Sequence, residues 1–219
     1  VSLSHRGSSW WSFDEVSWGV FVVRVLVACE YSGRVREAFR SMGHDAWSCD
    51  LLPSDDGSDY HITSDVLSLL GNGWDMMIAF PPCTYLCSSG LHWNKRVEGR
   101  SEKTDEALEF VRSLMDAPIE KIAIENPVGR IGTAIRKSDQ SIHPYMFGDD
   151  ASKRTCLWLK NLEKLKPTSF VEPRMVDGKP RWANQTDSGQ NNLAPSANRW
   201  KERSKTYEGI ANAMAFHWG

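Results

Sequence analysis

The chain has 219 residues, of which 41% are hydrophobic and 25% charged, and its formal net charge is -2. These values are typical of one soluble globular domain, and the charge excludes a protein that coats nucleic acid through bulk positive charge. The five cysteines lack the dense spacing of a secreted disulfide scaffold, so we predict a cytoplasmic protein with reduced thiols, and no apolar run is long enough to span a membrane.

Residues 1–19 differ from the rest of the chain. They place serines beside Trp10, Trp11 and Trp18, and they lack the basic start, long apolar region and small-residue cleavage site of a targeting signal. Two interpretations stay open, a translated upstream extension or an appended arm whose tryptophans pack on the domain. Residues 20–219 are expected to form a single domain.

From residue 23 onward, apolar runs rich in β-branched residues alternate with amphipathic stretches. The apolar runs predict strands at 24–29, 46–49, 75–80, 122–124 and 155–159. Helices are predicted over 34–42, from a cap at Ser101 or Thr104 to residue 115, and over 205–216, with a polar loop region at 166–198. This alternation predicts an α/β fold with a doubly wound, mostly parallel sheet and helices on both faces.

Two of the predicted strands end in reactive groups. The third ends at Pro81-Pro82-Cys83 and the fourth at Glu125-Asn126-Pro127. If these strands are parallel neighbours, Cys83 and Glu125 emerge at the same carboxyl edge of the sheet, where open α/β sheets bind ligands. A thiol and a carboxylic acid suit a reaction in which a thiolate adds to an electron-poor ring while the acid protonates or hydrogen-bonds that ring.

Other interpretations of these groups are structural. A buried cysteine is often a small core residue, two prolines can simply end a strand, and Glu125 can cap a helix or pair with a surface arginine. A zinc site built from Cys83 and Cys87 with His61 or His92 is not expected, because the second pair of ligands usual in structural zinc sites is missing.

The first predicted strand leads through a tight turn at Gly33 into a helix, which is typical of a nucleoside-cofactor site. Backbone N–H groups at the helix start and Asp50 at the next strand end would bind the cofactor, the latter through ribose hydroxyls. Only one glycine stands where a dinucleotide fold shows three, so a cofactor without phosphates fits better. A plain helix turn with a solvated Asp50 is the alternative.

Together, three motifs resemble those of the cytosine-5 DNA methyltransferase family, particularly its short phage-borne members. They are Pro81-Pro82-Cys83, Glu125-Asn126-Pro127 and the terminal Tyr207-Glu208-Gly209-Ile210-Ala211-Asn212-Ala213, in the family's order. The resemblance covers most of the chain from Val25 onward. It implies a Rossmann-like methyltransferase fold and an enzyme that transfers a methyl group from S-adenosylmethionine to C5 of cytosine in DNA.

The same resemblance implies a role for each matched residue. Cys83 would be the nucleophile, and Glu125 would hold the cytosine at N3 and the exocyclic amine. Asp50 would bind the ribose of S-adenosylmethionine and Asp65 would lie near its adenine. Asn212 would help to complete the cofactor pocket. The predicted cofactor-binding residues are Glu30, Tyr31, Ser32, Gly33, Asp50, Leu51, Asp65, Pro81 and Asn212.

The chemistry sets opposite requirements on the two reactive groups. Cys83 must ionise, and a nearby cation would lower its pKa. Ser152-Lys153-Arg154 stands where the family has Gln-x-Arg-x-Arg, and Arg154 is the residue matched there and predicted as the third catalytic residue. Glu125 must keep a proton, which favours burial that raises its pKa.

The segment that should choose the substrate is short. Tyr207 follows Arg154 by 53 positions, so residues at about 160–204 can form only a reduced target-recognition segment. Its basic and aromatic residues suit phosphate contact and base stacking, and a solvated loop is the alternative. The predicted substrate-binding residues are Pro82, Asn126, Arg181 and Trp182.

These features predict a short or relaxed sequence preference on duplex DNA, whose target cytosine must be flipped out of the stack. Single-stranded nucleic acid and a free cytidine nucleotide stay open as substrates. A protein that binds S-adenosylmethionine and nucleic acid without catalysis is the remaining alternative.

Overall fold

The structure, a computed structural model, describes residues 21–219, and the predicted extension at 1–19 lies outside the described residues. The strands are β1 Arg24–Ala28, β2 Asp45–Asp50, β3 His61–Thr63, β4 Met76–Ala79, β5 Lys121–Pro127, β6 Gln140–Ile142, β7 Thr155–Lys160, β8 Arg174–Val176 and β9 Lys179–Arg181. The α-helices are α1 Arg34–Ser41, α2 Arg100–Met115, α3 Ile131–Ala134, α4 Arg199–Ser204 and α5 Glu208–Trp218. Short 3-10 helices lie at Val66–Leu69, Leu91–Lys95 and Pro144–Met146.

Seven strands form one mixed sheet in the order β3-β2-β1-β4-β5-β7-β6. The strands from β1 to β5 pair in parallel, while β7 runs antiparallel to both of its neighbours, β5 and β6. The prediction of an α/β fold with a mostly parallel sheet is therefore confirmed. The chain order reverses direction between β1 and β4, which leaves a crevice at the carboxyl ends of these two strands.

Helices cover both faces of the sheet. Val25 and Val27 of β1 point into the core formed with α1 and α5, while Leu26 and Ala28 point into the core formed with α2. Because both faces are covered, the central strands are continuous apolar runs rather than alternating ones. No helix among residues 21–219 is long and apolar enough to cross a membrane.

Two helix predictions differ from the structure. The helix predicted over 205–216 corresponds to α5, which begins at Glu208 because the backbone at Lys205 and Tyr207 is extended, and a separate short helix, α4, precedes it. The predicted cap at Ser101 or Thr104 is also wrong, because α2 begins after Gly99 in the left-handed region at φ 73°. Thr104 is buried inside the helix and donates through Oγ1 to the Tyr85 carbonyl oxygen at 3.1 Å.

The region predicted as loop at 166–198 contains a hairpin. Strands β8 and β9 pair across Asp177-Gly178, and both of these residues have positive φ, at 49° and 71°. Asp-Gly is a strong signal for a tight hairpin turn, because aspartate tolerates the left-handed region and glycine adopts it without strain. Because the strands beside this turn are short and polar, they form none of the apolar runs that predict strands.

Candidate active site

The segment that carries Cys83 leaves the sheet at the end of β4. The Phe80 N–H still donates to the Ala28 carbonyl oxygen at 2.9 Å, and the two prolines that follow have no N–H to continue the ladder. The chain then turns, with the Leu86 and Cys87 N–H groups donating to the Cys83 carbonyl oxygen at 3.0 and 2.9 Å. Cys83 is exposed at this turn.

Glu125 lies at the same edge, one strand away. β4 and β5 are parallel neighbours, which is the condition under which the sequence places both groups at one edge, and their pairing ends at Ala79 and Ile124. β5 continues as far as Pro127 because β7 pairs with it on the other side. Both reactive residues thus follow the last position at which β4 and β5 pair with each other, and both lie at the carboxyl edge of the sheet.

Asn126 ties the two segments together. Its side chain is 1% exposed, and its Nδ2 donates to the Pro81 carbonyl oxygen at 2.7 Å. Its Oδ1 is buried without a hydrogen-bond partner among the described residues. The structure therefore gives Asn126 a positioning role for the Cys83 segment, and its contact with substrate stays a prediction.

Gly129 is a site residue that the sequence analysis missed. The Ser88 N–H donates to the Val128 carbonyl oxygen at 3.0 Å, and the Arg130 N–H donates to the Leu86 carbonyl oxygen at 2.7 Å. A Cβ at Gly129 would overlap that Leu86 oxygen and lie 2.8 Å from the Cys87 Cα. The loop after Cys83 and the loop after Glu125 thus approach each other at a place where only glycine fits.

The electrostatics of the two reactive groups agree with prediction for one and differ for the other. Burial raises the pKa of Glu125, against the opposing effects of Lys153 and a hydrogen bond with Thr155. The pKa of Cys83 was expected to be lowered by Arg154, but it is raised, first by desolvation and then by Cys87 and Glu125. In the protein alone, therefore, Cys83 is mostly a thiol at neutral pH.

The cation that acts on both groups is Lys153, not Arg154. The charge of Lys153 lowers the pKa of Cys83 and of Glu125. The Arg154 guanidinium instead lies 3.5 Å from Ser141 Oγ, and its charge, together with burial, lowers the pKa of His143. The structure therefore does not place Arg154 beside the two reactive groups, and its catalytic role stays a prediction.

The turn after β1 is a helix cap rather than an open backbone cradle. The Glu30 carboxylate accepts hydrogen bonds from the Val35 and Arg36 N–H groups of α1 at 2.8 and 3.3 Å. It also accepts a hydrogen bond from the Ser32 hydroxyl at 3.2 Å. Glu30 is 4% exposed. Glu30 thus has a structural role as a helix cap that occupies the Val35 and Arg36 amides, and its contact with a cofactor stays a prediction.

The remaining predicted cofactor residues fall into separate groups. Ser32, Gly33 and Asn212 line one pocket of about 360 Å³ between α1 and α5. Asp50 and Asp65 do not line it; they lie at the ends of β2 and β3, where their charges add to burial in raising the pKa of Cys29.

Three other predicted cofactor residues have different surroundings. Tyr31 is buried, and its hydroxyl donates to the Lys201 carbonyl oxygen at 2.7 Å. Pro81 is buried beneath the Cys83 turn. Leu51 is exposed. The structure therefore does not gather all nine predicted residues around one ligand space.

The polar groups at this edge suit a cofactor with hydroxyls and no phosphate. Asp50 Oδ1 accepts the Leu52 N–H at 2.9 Å, and its second oxygen has no hydrogen-bond partner within residues 21–219, so it can accept a ribose hydroxyl. Glu30 already occupies the Val35 and Arg36 amides at the start of α1, where a phosphate could otherwise bind. The groups left at this edge therefore suit hydroxyls better than a phosphate.

The predicted substrate residues of the 160–204 segment are engaged within the protein. Arg181 donates through Nε to the Asp187 carbonyl oxygen at 2.9 Å. Trp182 stacks on Tyr145 with ring centroids 4.4 Å apart and planes at 14°. Pro82 is exposed beside Cys83. Of the four predicted substrate residues, Pro82 therefore has the placement most suited to substrate contact.

Comparisons with known proteins add no family to this description, since neither a protein-family model nor a curated protein matches the chain. Within residues 21–219 no group of three or more His, Cys, Asp or Glu side chains is arranged to hold a metal ion.

Proposed function

We propose that this protein is a DNA (cytosine-5)-methyltransferase that uses S-adenosylmethionine and forms a covalent adduct through Cys83. The observation that supports it most strongly is the shared edge of β4 and β5. There a thiol and a carboxylic acid of raised pKa lie beyond the last pair that joins β4 to β5, and the Asn126 side chain joins the two segments. The strand order around β1 and β4 also supports a Rossmann-like fold with its ligand crevice at this edge.

The chemistry needs a nucleophile and an acid on one ring. Cytosine C5 is a poor nucleophile, so the Cys83 thiolate adds at C6 and forms the S–C6 bond. The Glu125 proton is donated to N3, or shared with it, as the ring takes up charge. S-adenosylmethionine, when bound, supplies the electrophilic methyl group that C5 attacks.

Release reverses the addition. Water or hydroxide removes the proton from C5, and that C–H electron pair re-forms the C5–C6 double bond and expels the Cys83 thiolate. The N3 proton returns to Glu125. Because burial raises the pKa of Glu125, its protonated form persists to higher pH than that of an ordinary carboxylic acid.

A side-by-side transfer assay tests the proposal. Labelled S-adenosylmethionine is offered with duplex DNA, single-stranded DNA, RNA and dCMP, with Cys83→Ser as the matched control. We expect label in duplex DNA from the unaltered protein and none from C83S. Label confined to dCMP or to single strands would establish one of the other substrates, and transfer to none of the four would leave the binding-only interpretation.

An adduct assay tests the role of Cys83 separately. DNA containing 5-fluorocytosine retains fluorine at C5, so the proton removal that releases the enzyme is blocked. We expect a mass-shifted protein–DNA species in the presence of S-adenosylmethionine, mapped to the Cys83 peptide. Binding of the oligonucleotide without that species would contradict nucleophilic catalysis by Cys83.

A further inference from the structure

A short segment of the chain lies against the candidate site. It consists of α4 and the extended backbone that leads into α5, residues 199–207, and we call it the strap. The strap helps to line a small cavity through Ser204, Thr206 and Tyr207. Phe80, just after β4, and Glu125 of β5 line the same cavity. The strap is therefore one wall of the space between the two strand ends that carry the proposed chemistry.

This cavity is too small for a substrate ring. Its volume is about 20 Å³, which is room for about one water molecule. Sites for small molecules usually measure about 300 Å³ or more. A pyrimidine ring can therefore meet Glu125 in this space only if a wall of the cavity moves.

Polar contacts tie the strap to the turns that follow β1 and β2. The Tyr31 hydroxyl donates to the Lys201 carbonyl oxygen at 2.7 Å, and it lies 2.8 Å from Ser204 Oγ. Lys205 Nζ lies 3.1 Å from an Asp55 carboxylate oxygen. These ties hold the strap to the half of the carboxyl edge that contains β1 and β2.

Two further ties involve the backbone of the strap. Arg34 Nη1 donates to the Thr206 carbonyl oxygen at 2.8 Å, from the start of α1. Lys153 Nζ donates to the Arg203 carbonyl oxygen at 3.1 Å, from the loop before β7. The strap is thus bound on both sides of the crevice, and it spans the carboxyl edge between them.

Apolar burial contributes little to holding the strap in place. Within α4, all of which the structure describes, no residue is buried, whereas α5 buries six residues in the core. Segments with few buried apolar contacts open at a lower free energy than the packed core does. The strap can therefore leave the edge when its polar ties break, while α5 stays packed against α1.

We propose that the strap is a lid, which closes the space beside Glu125 in this structure and opens to admit the substrate ring. The inference rests on the proposed function for the identity of that ring, but the opening is a property of the protein alone. Because only the open state has room for the ring, the ring selects that state. Its apparent affinity is reduced by the fraction of molecules that are open.

The test measures chemical access to Glu125 with no DNA or cofactor present. A water-soluble carbodiimide activates an accessible carboxyl, and glycine ethyl ester then forms an amide with it while the carbodiimide leaves as its urea. Trypsin releases the peptide 122–130, in which Glu125 is the one carboxylic side chain. Mass spectrometry of this peptide therefore reads Glu125 alone. The exposed Glu172, which is the one carboxylic side chain of the peptide 165–174, is the internal reference.

Two variants release the strap without touching the cavity, because neither Tyr31 nor Lys205 lines it. We expect Tyr31→Phe and Lys205→Gln each to accelerate the labelling of Glu125, relative to Glu172, by about threefold or more, since the loss of a tie raises the open fraction. Lys205→Arg keeps the charge and should label like the unaltered protein.

The matched control changes the other partner of Lys205. A Glu202 carboxylate oxygen lies 3.2 Å from Lys205 Nζ, but both residues belong to the strap. Glu202→Gln therefore leaves the tie to Asp55 intact and should not change the labelling of Glu125. Circular dichroism checks that each variant is folded, and Asp55→Asn, which breaks the same tie from the other side, replaces K205Q if the latter does not fold.

Unchanged labelling of Glu125 in the folded tie variants, or an equal acceleration in E202Q, would overturn the inference. The result is also distinct from that of the transfer assay. Faster labelling in the tie variants of a protein that methylates none of the four substrates supports the lid and rejects the methyltransferase. Methyl transfer by a protein whose tie variants label at the original rate supports the enzyme and rejects the lid.

Discussion

At the residue scale, Glu125 combines a chemical requirement with a cost in stability. Burial raises the pKa of its carboxyl in the folded protein. A carboxyl whose pKa is higher in the folded state than in the unfolded state contributes stability at low pH, and this contribution is lost as pH rises through the folded pKa. Ionisation of Glu125 at neutral pH therefore lowers the free energy of unfolding.

Glu125→Gln should remove this destabilisation and also abolish the proposed methyl transfer. We expect the free energy of unfolding of E125Q, measured in urea, to exceed that of the unaltered protein by an amount that grows as pH rises above the ordinary carboxyl pKa. Methyl transfer should fall by about 100-fold or more, since a positioned acid contributes on that order. A difference in stability that stays constant between pH 4 and pH 8 would contradict the assignment.

Some residues could be assigned from the sequence and others could not. Cys83 and Glu125 follow buried apolar runs, so the strand ends predict their common edge. Glu30 was assigned to the cofactor because the turn at 30–33 resembles the cofactor turn of the methyltransferase family, and the sequence does not show that the helix amides take both of its oxygens. Lys153 and Arg154 are adjacent, and only the backbone conformation decides which of them faces Glu125.

At the element scale, the loops after β4 and β5 act as one unit through Gly129. Replacing it with alanine places a Cβ against the Leu86 carbonyl oxygen and the Cys87 backbone. We expect Gly129→Ala to separate the two loops and to lower methyl transfer by about 100-fold, as a shift of about 1 Å at an active site can do. The adduct with 5-fluorocytosine DNA should fall in parallel.

A matched control lies three residues later. A Cβ at Gly132 in α3 meets nothing within 4 Å, so Gly132→Ala should keep full activity. Circular dichroism should show both variants folded, because the sheet itself does not depend on either loop. Equal activity of G129A and the unaltered protein would show that the loops tolerate separation.

The central strands were predictable because both faces of the sheet are covered, which makes each strand a continuous apolar run. The elements at the edges of the fold were not predictable from the sequence. β6 and the β8–β9 hairpin are short and polar, and their positions depend on long-range pairing. The break between α4 and α5 also depends on such contacts, because Lys205 pairs with Asp55 at 3.1 Å, far away in the sequence.

At the scale of the whole molecule, the 160–204 segment is too short to fold as an independent recognition domain. Most of it is exposed, while Trp182 stacks on Tyr145, the Asn184 side chain binds Ser152 and the Arg203 carbonyl oxygen accepts the Lys153 ammonium. We therefore expect methylated cytosines in many sequence contexts when genomic DNA is treated and sequenced at base resolution, against a C83S control. Methylation confined to one long motif would contradict this expectation.

The close approach at Gly129 also has a consequence for anyone who redesigns this protein. The loop after Cys83 and the loop after Glu125 come from distant parts of the chain, yet neither has room to change its backbone path alone. A graft that transfers only the nucleophile loop into another scaffold should misplace the thiol. Transplanting both loops together with Asn126 preserves their mutual fit, so the smallest portable unit is a pair of loops rather than a motif.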